Sequence, residues 1–421
     1  MIDLLKLSQS CVKCAKCIPS CTIYQIERDE VNSPRGFIDL LGIYEKNEIA
    51  LDKNLKNIFE TCFLCTTCTT LCPQTIDTAS MIIKSRIDIA NKFGISWYKR
   101  AYFYLLKNRK LMDFVFSFTY FISPCLFKAS GDKLRSRIPL SKLGKRTIFP
   151  FSKKSFLQKY KKLNKIKHTD SKKVAIFIGC LGNYNYTNIG ESLLFILDKL
   201  GIEAVIPKQE CCGAPAYFTG DIKSVNYLIK KNIEIFESFL DKVDAMIIPE
   251  ATCAAMILKD WKHALEYTND TIYLERLEKL LPKIYMATDY LYHHTNLLQA
   301  LKQKQRSGLK ITYHDPCHAK KVLGIYKEPR ELLKANYNFV EMKECDRCCG
   351  FGGVTIQSQK YHLAYNAGAP KAKNIKDAKA DIVSAECSAC RMQLNNAMDN
   401  ENVNTIFKHP LELIKDILKG L

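Results

Sequence analysis

Five positions of this 421-residue chain return 137 residues later with no gap between the copies. Cys180, Cys211, Cys212, Glu250 and Cys253 come back as Cys317, Cys348, Cys349, Cys387 and Cys390, and Gly213 returns as Gly350. Thiols repeated at fixed intervals are metal-site architecture, because a bound ion is strict about where its ligands sit and indifferent to the chain between them. The glutamate is the one break in the pattern, so the two sites are not chemically equal.

The chain around the cysteines reads as alternating strands and helices. In the first half VAIFIG (174–179), IEAVIP (202–207) and DAMIIP (244–249) are short apolar runs leading to cysteines or to Glu250. Helical patterns lie between them, one ending at Gly201 and one at about 221–240. The second half repeats this with LKITYHD (309–315), NFVEMKE (338–344) and DIVSAE (381–386). Each half closes on a similar strand and helix, IYMATDYL (284–291) and TIFKHPLEL (405–413). Such alternation predicts a parallel sheet covered on both faces. In open sheets of that kind, sites lie beyond the carboxyl ends of the strands. One cleft per half is therefore expected.

A second cysteine pattern occupies the N-terminus. Cys11, Cys14, Cys17 and Cys21 form C-x2-C-x2-C-x3-C, and Cys62, Cys65, Cys68 and Cys72 repeat it with Pro73 following. Three closely spaced thiolates can cap three irons of a [4Fe–4S] cube, and the fourth iron needs a ligand from elsewhere. In two-cluster ferredoxins the fourth cysteine of each run serves the other cluster. One cluster is accordingly assigned to Cys11, Cys14, Cys17 and Cys72, the other to Cys62, Cys65, Cys68 and Cys21. Zinc also takes four cysteines, but it does not require the third close cysteine. Thr22 stands where proline follows in the second run.

The chain has 19 cysteines, and its opening, MIDLLKLSQS, has neither a basic region nor an apolar run of secretory type. A reducing cytoplasm is the expectation, where clustered cysteines are ligands or catalytic thiols. The net charge of +20 is concentrated: residues 91–173 hold 22 Lys and Arg against three acids. That segment reads either as a solvated linker with helices or as a docking surface for an anionic membrane or acidic partner. It carries no nucleic-acid-binding motif, so no nucleic acid is expected. Within it the uncharged run Phe114–Phe127 is too short to span a bilayer and contains Pro124. It fits a core helix or an in-plane amphipathic anchor. Cys125 is expected to be a buried thiol, and Cys345 a spectator beside the repeat.

His314 and His318 flank Cys317 in HDPCH (314–318). As candidate catalytic residues they would donate protons at a reducible site or touch a quinone. The plainer reading is a hydrogen bond that orients the loop. His263, His293 and His294 read as surface or packing residues. No GxGxxG follows a strand and no P-loop is present, so the chain carries no evident flavin or nicotinamide site of its own.

The complete second motif resembles the cysteine-rich CCG domain of heterodisulfide reductase and its relatives. That resemblance implies an unusual [4Fe–4S] cluster on Cys317, Cys348, Cys349, Cys387 and Cys390. For Cys180, Cys211, Cys212 and Cys253, with Glu250 beside them, an ordinary four-ligand cluster, a zinc site and a metal-free relic all remain open. As a whole the chain resembles the iron–sulfur subunits of glycolate oxidase, and CVKCAKCIPSCTIYQIERDEVNSPRG (11–36), with its expected turn at Pro34-Arg35-Gly36, carries that likeness. The iron–sulfur proteins of anaerobic glycerol-3-phosphate dehydrogenase, of lactate utilisation and of heterodisulfide reductase share the architecture.

The resemblance implies an α/β fold overall. A helical ferredoxin domain with two [4Fe–4S] clusters would span 1–90 and a basic helical segment 91–173. A degenerate CCG domain would span 174–308 and a complete one 309–421. It also implies an electron-transfer subunit of an oxidoreductase. An FAD-containing partner would oxidise a 2-hydroxy acid, and electrons would pass towards a membrane quinone, with the chain peripheral on the inner face of the cytoplasmic membrane. The rivals are a thiol/disulfide reductase of the heterodisulfide type, the iron–sulfur subunit of a glycerol-3-phosphate dehydrogenase, and a non-catalytic metal or scaffold protein.

Overall fold

The structure, a computed structural model, describes residues 3–130, 133–137, 146–164 and 171–420. Lys142, Lys145, Lys165 and Lys167 of the basic segment lie outside the described residues.

The N-terminal module is helical. Pro34-Arg35-Gly36, expected as a turn, is instead the first turn of the helix Pro34–Glu45. Pro34 takes the first helical position, where no N–H is missed, and the Ser33 hydroxyl caps the Gly36 N–H at 3.1 Å. Gly36 must lack a side chain, since a Cβ there would lie 2.2 Å from the Glu30 carbonyl oxygen. The helix Thr78–Phe93 follows the second cysteine run and is capped by Asp77.

Two helices cross the basic segment, Trp97–Lys107 and Arg109–Leu126. An antiparallel sheet of β1 (Phe127–Ser130), β2 (Lys133–Ser136) and β3 (Thr147–Ile148) follows, which the helical expectation for this segment missed. The segment is anchored to both halves of the repeat. Lys99 Nζ donates to Thr355 Oγ1 at 3.0 Å, Arg109 donates to the Gln209 carbonyl at 3.0 Å, and Lys133 pairs with Asp399 at 2.9 Å. The Arg109–Leu126 helix packs Met112 and Phe116 inward, with Phe116 4.5 Å from the Tyr184 ring. Its outer face leaves Phe114 68 % and Phe121 62 % exposed. Cys125 is on the exposed surface of the same helix, so it is not the buried thiol expected. Among the described residues no helix is long and apolar enough to cross a membrane.

The strands of the repeat are β4 (Lys173–Ile176), β5 (Glu203–Val205), β6 (Ala245–Ile248) and β7 (Ile284–Met286) in the first half. In the second they are β8 (Lys310–Tyr313), β9 (Asn338–Phe339), β10 (Ile382–Ser384) and β11 (Ile406–Lys408). The first sheet runs β5-β4-β6-β7 and the second β9-β8-β10-β11, parallel throughout. Both halves therefore share one strand order. Every residue of β6 and β10 is buried, as strands covered on both faces require.

The apolar interior ties the parts together. Leu41, Phe59 and Ile82 of the N-terminal module lie in one continuous core with Val225 and Trp261 of the first half and Ile356 and Leu394 of the second. Arg86 reinforces that junction from a buried position, donating to the carbonyls of Cys62 at 2.7 Å and Phe218 at 2.8 Å. A second core joins the halves directly, with Ile176 and Ile189 packed in one cluster with Ile311 and Ile414.

Candidate metal centres

The two N-terminal cysteine runs fold the same way. Lys13 and Ala15 in the first, and Leu64 and Thr66 in the second, all have φ between 53° and 62°. These left-handed residues curl each loop so that its sulfurs face inward. None is glycine, so the curl costs roughly 1 kcal/mol or more at each position. Cys11, Cys14, Cys17, Cys68 and Cys72 line one cavity. Cys21, Cys62, Cys65 and Cys68 line the next. Burial pushes the Cys17 thiol up, and the neighbouring thiols of Cys11, Cys14 and Cys72 push it further. Burial does the same to Cys21, reinforced by Cys65, Cys62 and Cys68. The fourth cysteine of each run thus lies with the first three of the other.

The Cys-Cys-Gly turns explain why glycine follows each pair. Gly213 and Gly350 have φ of 90° and 89°, a conformation side chains rarely adopt. There each glycine N–H points back at the first sulfur of its pair, 3.4 Å from Cys211 Sγ and from Cys348 Sγ.

In the second half the sulfurs form a contiguous chain. Cys349 and Cys390 Sγ lie 3.4 Å apart, and the Cys390 N–H reaches Cys387 Sγ at 3.5 Å. Cys348 lies beside Cys349 on one side and Cys65, from the N-terminal module, on the other, near enough for both to shift its ionisation. Cys317 is close enough to feel the charge of both Cys65 and Cys387. Lys321 closes the seam between module and repeat, donating to Thr67 Oγ1 and to the Asp346 carbonyl at 2.9 Å. Lys371, fully buried, donates to the carbonyls of Glu344 and Cys345 at 2.6 and 2.9 Å. Cys345 stands off to the side, its carbonyl also accepting from the Asp315 N–H at 3.0 Å.

His314 is only 1 % exposed, so it has no face open to a quinone. Its Nδ1 lies 3.2 Å from the Cys345 carbonyl, and burial holds its pKa well below the ordinary value, so the ring is neutral. His318 is half-buried, with Nδ1 3.7 Å from Cys317 Sγ and its ring stacked on Phe218. His263 faces Ser80, while His293 and His294 lie among Glu328, Tyr285 and Tyr290.

In the first half Cys180, Cys211, Cys212 and Cys253 make a similar chain of sulfur contacts. Trp261 Nε1 holds the Cys212 carbonyl at 2.8 Å, and Asn232 holds that of Cys211 at 3.0 Å. Arg109, from the basic segment, brings a guanidinium close enough to Cys180 to favour its thiolate. Glu250 turns the other way. Its carboxylate accepts from the Ser388 N–H at 2.9 Å and from the Ser388 hydroxyl. Thr252 Oγ1 lies 3.5 Å from Cys387 Sγ. The two clefts expected as separate therefore meet across one seam. Arg109, Lys371, Thr252 and Ser388 carried no signal in the sequence, because their roles depend on which segments pack together.

The donor sets fit iron–sulfur clusters. All 19 cysteines are free thiols; Cys211, Cys212, Cys253, Cys348, Cys349, Cys387 and Cys390 are buried, while the N-terminal sets are half-buried with Cys14 exposed. Grouping thiols in this way raises the cost of ionising them unless cations are bound among them. Cys11, Cys14, Cys17 and Cys72 would hold one cluster, Cys21, Cys62, Cys65 and Cys68 a second, and the five cysteines of the complete repeat a third.

Comparison with known proteins agrees with this chemistry. Residues 8–76 match the 4Fe-4S dicluster domain, and residues 174–258 and 311–395 each match the cysteine-rich domain CCG. An uncharacterised iron–sulfur protein of Methanocaldococcus jannaschii is 26 % identical over 396 residues, which is 93 % of this chain and 68 % of that protein. Lactate utilization protein A 2 of Bacillus cereus is 29 % identical over 252 residues, covering 59 % of this chain and 99 % of the relative. A hypothetical protein from Helicobacter pylori shares the fold, with a TM-score of 0.53 at 12 % identity over 99 % of this chain and 77 % of its own. The chain is thus an iron–sulfur electron-transfer protein, built from a 4Fe-4S dicluster domain and two cysteine-rich domains and related to lactate utilization protein A.

Proposed function

We propose that this chain is the electron-transfer subunit of a flavin-linked 2-hydroxy-acid dehydrogenase acting on glycolate or lactate. A separate FAD-containing subunit removes the electrons from the substrate, and this chain delivers them towards a membrane quinone. The observation that carries the reading is the seam at which Lys321 joins Thr67 of the N-terminal module to Asp346 of the repeat, with Cys65 and Cys348 close enough there to shift each other's ionisation. Iron–sulfur clusters, when bound, take up and release single electrons there. The protein's own contribution is to hold the thiol sets in one continuous core, keep water out, and set the local charge through Lys371, Lys321 and Arg109.

The name of the Bacillus relative supports a hydroxy acid as the source of electrons. The exposed phenylalanines of the Arg109–Leu126 helix, with Lys107 and Lys110 at its start, support peripheral docking on an anionic membrane. The test is to isolate the complex anaerobically from its native cells and add glycolate, lactate and glycerol 3-phosphate in turn. Bleaching of the visible iron–sulfur absorbance by glycolate or lactate is expected. Bleaching by glycerol 3-phosphate alone would reassign the substrate. No bleaching, with full iron content and a co-purified flavoprotein, would favour a disulfide-reducing role.

A further inference from the structure

We propose that His314 is a nitrogen ligand of the second cysteine-rich site, binding through Nε2 the same metal ion as Cys349 or Cys390. This assignment rests on reading that site as an iron–sulfur centre. A ligand nitrogen of His314 and the sulfurs of Cys349 and Cys390 all lie within 4.8 Å of one another, and all three residues are buried. The two ring nitrogens are used differently. Nδ1 lies against the Cys345 carbonyl at 3.2 Å, whereas Nε2 is buried with no hydrogen-bond partner. A buried ring nitrogen left unpaired is costly, and a neutral imidazole with Nδ1–H on a carbonyl has its Nε2 lone pair free. This is the arrangement of a metal-bound histidine, whose second nitrogen donates to a backbone carbonyl that fixes the tautomer. The carbonyl is itself fixed, since it also accepts from Lys371 Nζ and from the Asp315 N–H.

The two halves of the repeat differ at this position. The equivalent of His314 in the first half is Phe177, which is also buried. A plain packing role is thus met by phenylalanine in one half, and the imidazole is confined to the half with five cysteines. A neutral nitrogen donor adds a ligand without adding negative charge to five crowded thiolates. Imidazole in place of thiolate also raises the reduction potential of an iron–sulfur centre. Histidine at 314, where the first half has Phe177, would therefore distinguish the second site from the first.

The experiment uses the full chain, loaded with iron under anaerobic conditions, with histidine carrying 15N in the ring. Iron and sulfide are counted first, then pulsed electron paramagnetic resonance measures nitrogen couplings to the second site. The expected result is a strong nitrogen coupling that changes with the isotope, is absent in His314→Phe, and survives in His318→Gln. His314→Phe copies the residue of the first half. If that variant does not fold, the isotope effect in the unaltered chain and the His318→Gln control still decide. Full iron with only weak amide couplings would overturn the ligand assignment while leaving the iron–sulfur reading intact. So would a strong coupling lost in His318→Gln. Iron no greater than the two N-terminal clusters require would overturn both.

Discussion

Glu250 of the first half accepts two hydrogen bonds from Ser388 of the second, one from its backbone N–H at 2.9 Å and one from its hydroxyl. Ser388 begins the helix Ser388–Asn400 and lies between Cys387 and Cys390. The residue that breaks the cysteine repeat therefore braces the loop of the complete site.

Glu250→Ala should leave a buried N–H and hydroxyl without a partner. The expected cost is about 3 kcal/mol of stability, with iron lost from the second site. Glu250→Gln keeps an acceptor oxygen and should lose much less. Chemical denaturation together with iron analysis checks both. Equal stability in Glu250→Ala and the unaltered chain would remove the bracing role.

Lys371 sets charge at the same site. Burial pushes its pKa down to about 8, and neighbouring Cys345 and Cys349 act in the opposite direction. Lys371→Met should lower the midpoint potential of the second site by roughly 60 mV, one tenfold step for a single electron. A redox titration followed by electron paramagnetic resonance reads this directly, and an unchanged midpoint would contradict it.

Much of this was legible in the sequence, for identifiable reasons. The strands were readable because β-branched runs such as VAIFIG and DAMIIP end where the cysteines begin. Three things were not readable. NFVEMKE yields only the two-residue β9, Asn338–Phe339, with Glu344 further on at φ 49°. Phe114–Phe127 left burial undecided, and the fold packs half-buried Phe116 against the core while exposing Phe114 and Phe118. The contacts of Glu250 with Ser388 and of Cys65 with Cys348 join segments far apart in the chain, and only tertiary packing decides which segments meet.

Lys99 gives the basic segment a pH-dependent hold on the fold. Burial lowers its pKa from 10.5 to about 8. The folded state binds this proton less tightly than the unfolded state, so Lys99 opposes folding fully below pH 8 and ceases to do so above pH 10.5. Lys99→Met should gain about 2 kcal/mol at about pH 7, after allowing for its lost bonds to Thr355 and Gln359, and the gain should shrink by about pH 9.5. Denaturation at the two pH values tests it, and an identical difference at both would contradict it.

The aromatic face of the Arg109–Leu126 helix should govern membrane docking. Serine at Phe114, Phe118 and Phe121 together should weaken binding to vesicles containing anionic phospholipid by about tenfold or more. Iron content should be unchanged, because these side chains lie on the exposed surface. Undiminished flotation with the vesicles would remove this helix from the docking surface.

If electrons cross from the N-terminal module to the complete cysteine-rich site through Cys65 and Cys348, the bound centres must lie close enough to interact magnetically. Electron paramagnetic resonance of the fully reduced, iron-loaded chain reads that interaction. The expected spectrum is split by coupling between neighbouring centres, and in Cys348→Ser the part that involves the complete cysteine-rich site disappears while the coupling between the two N-terminal clusters remains. An unsplit spectrum from a fully loaded chain, with each centre titrating independently of the others, would contradict a continuous electron path.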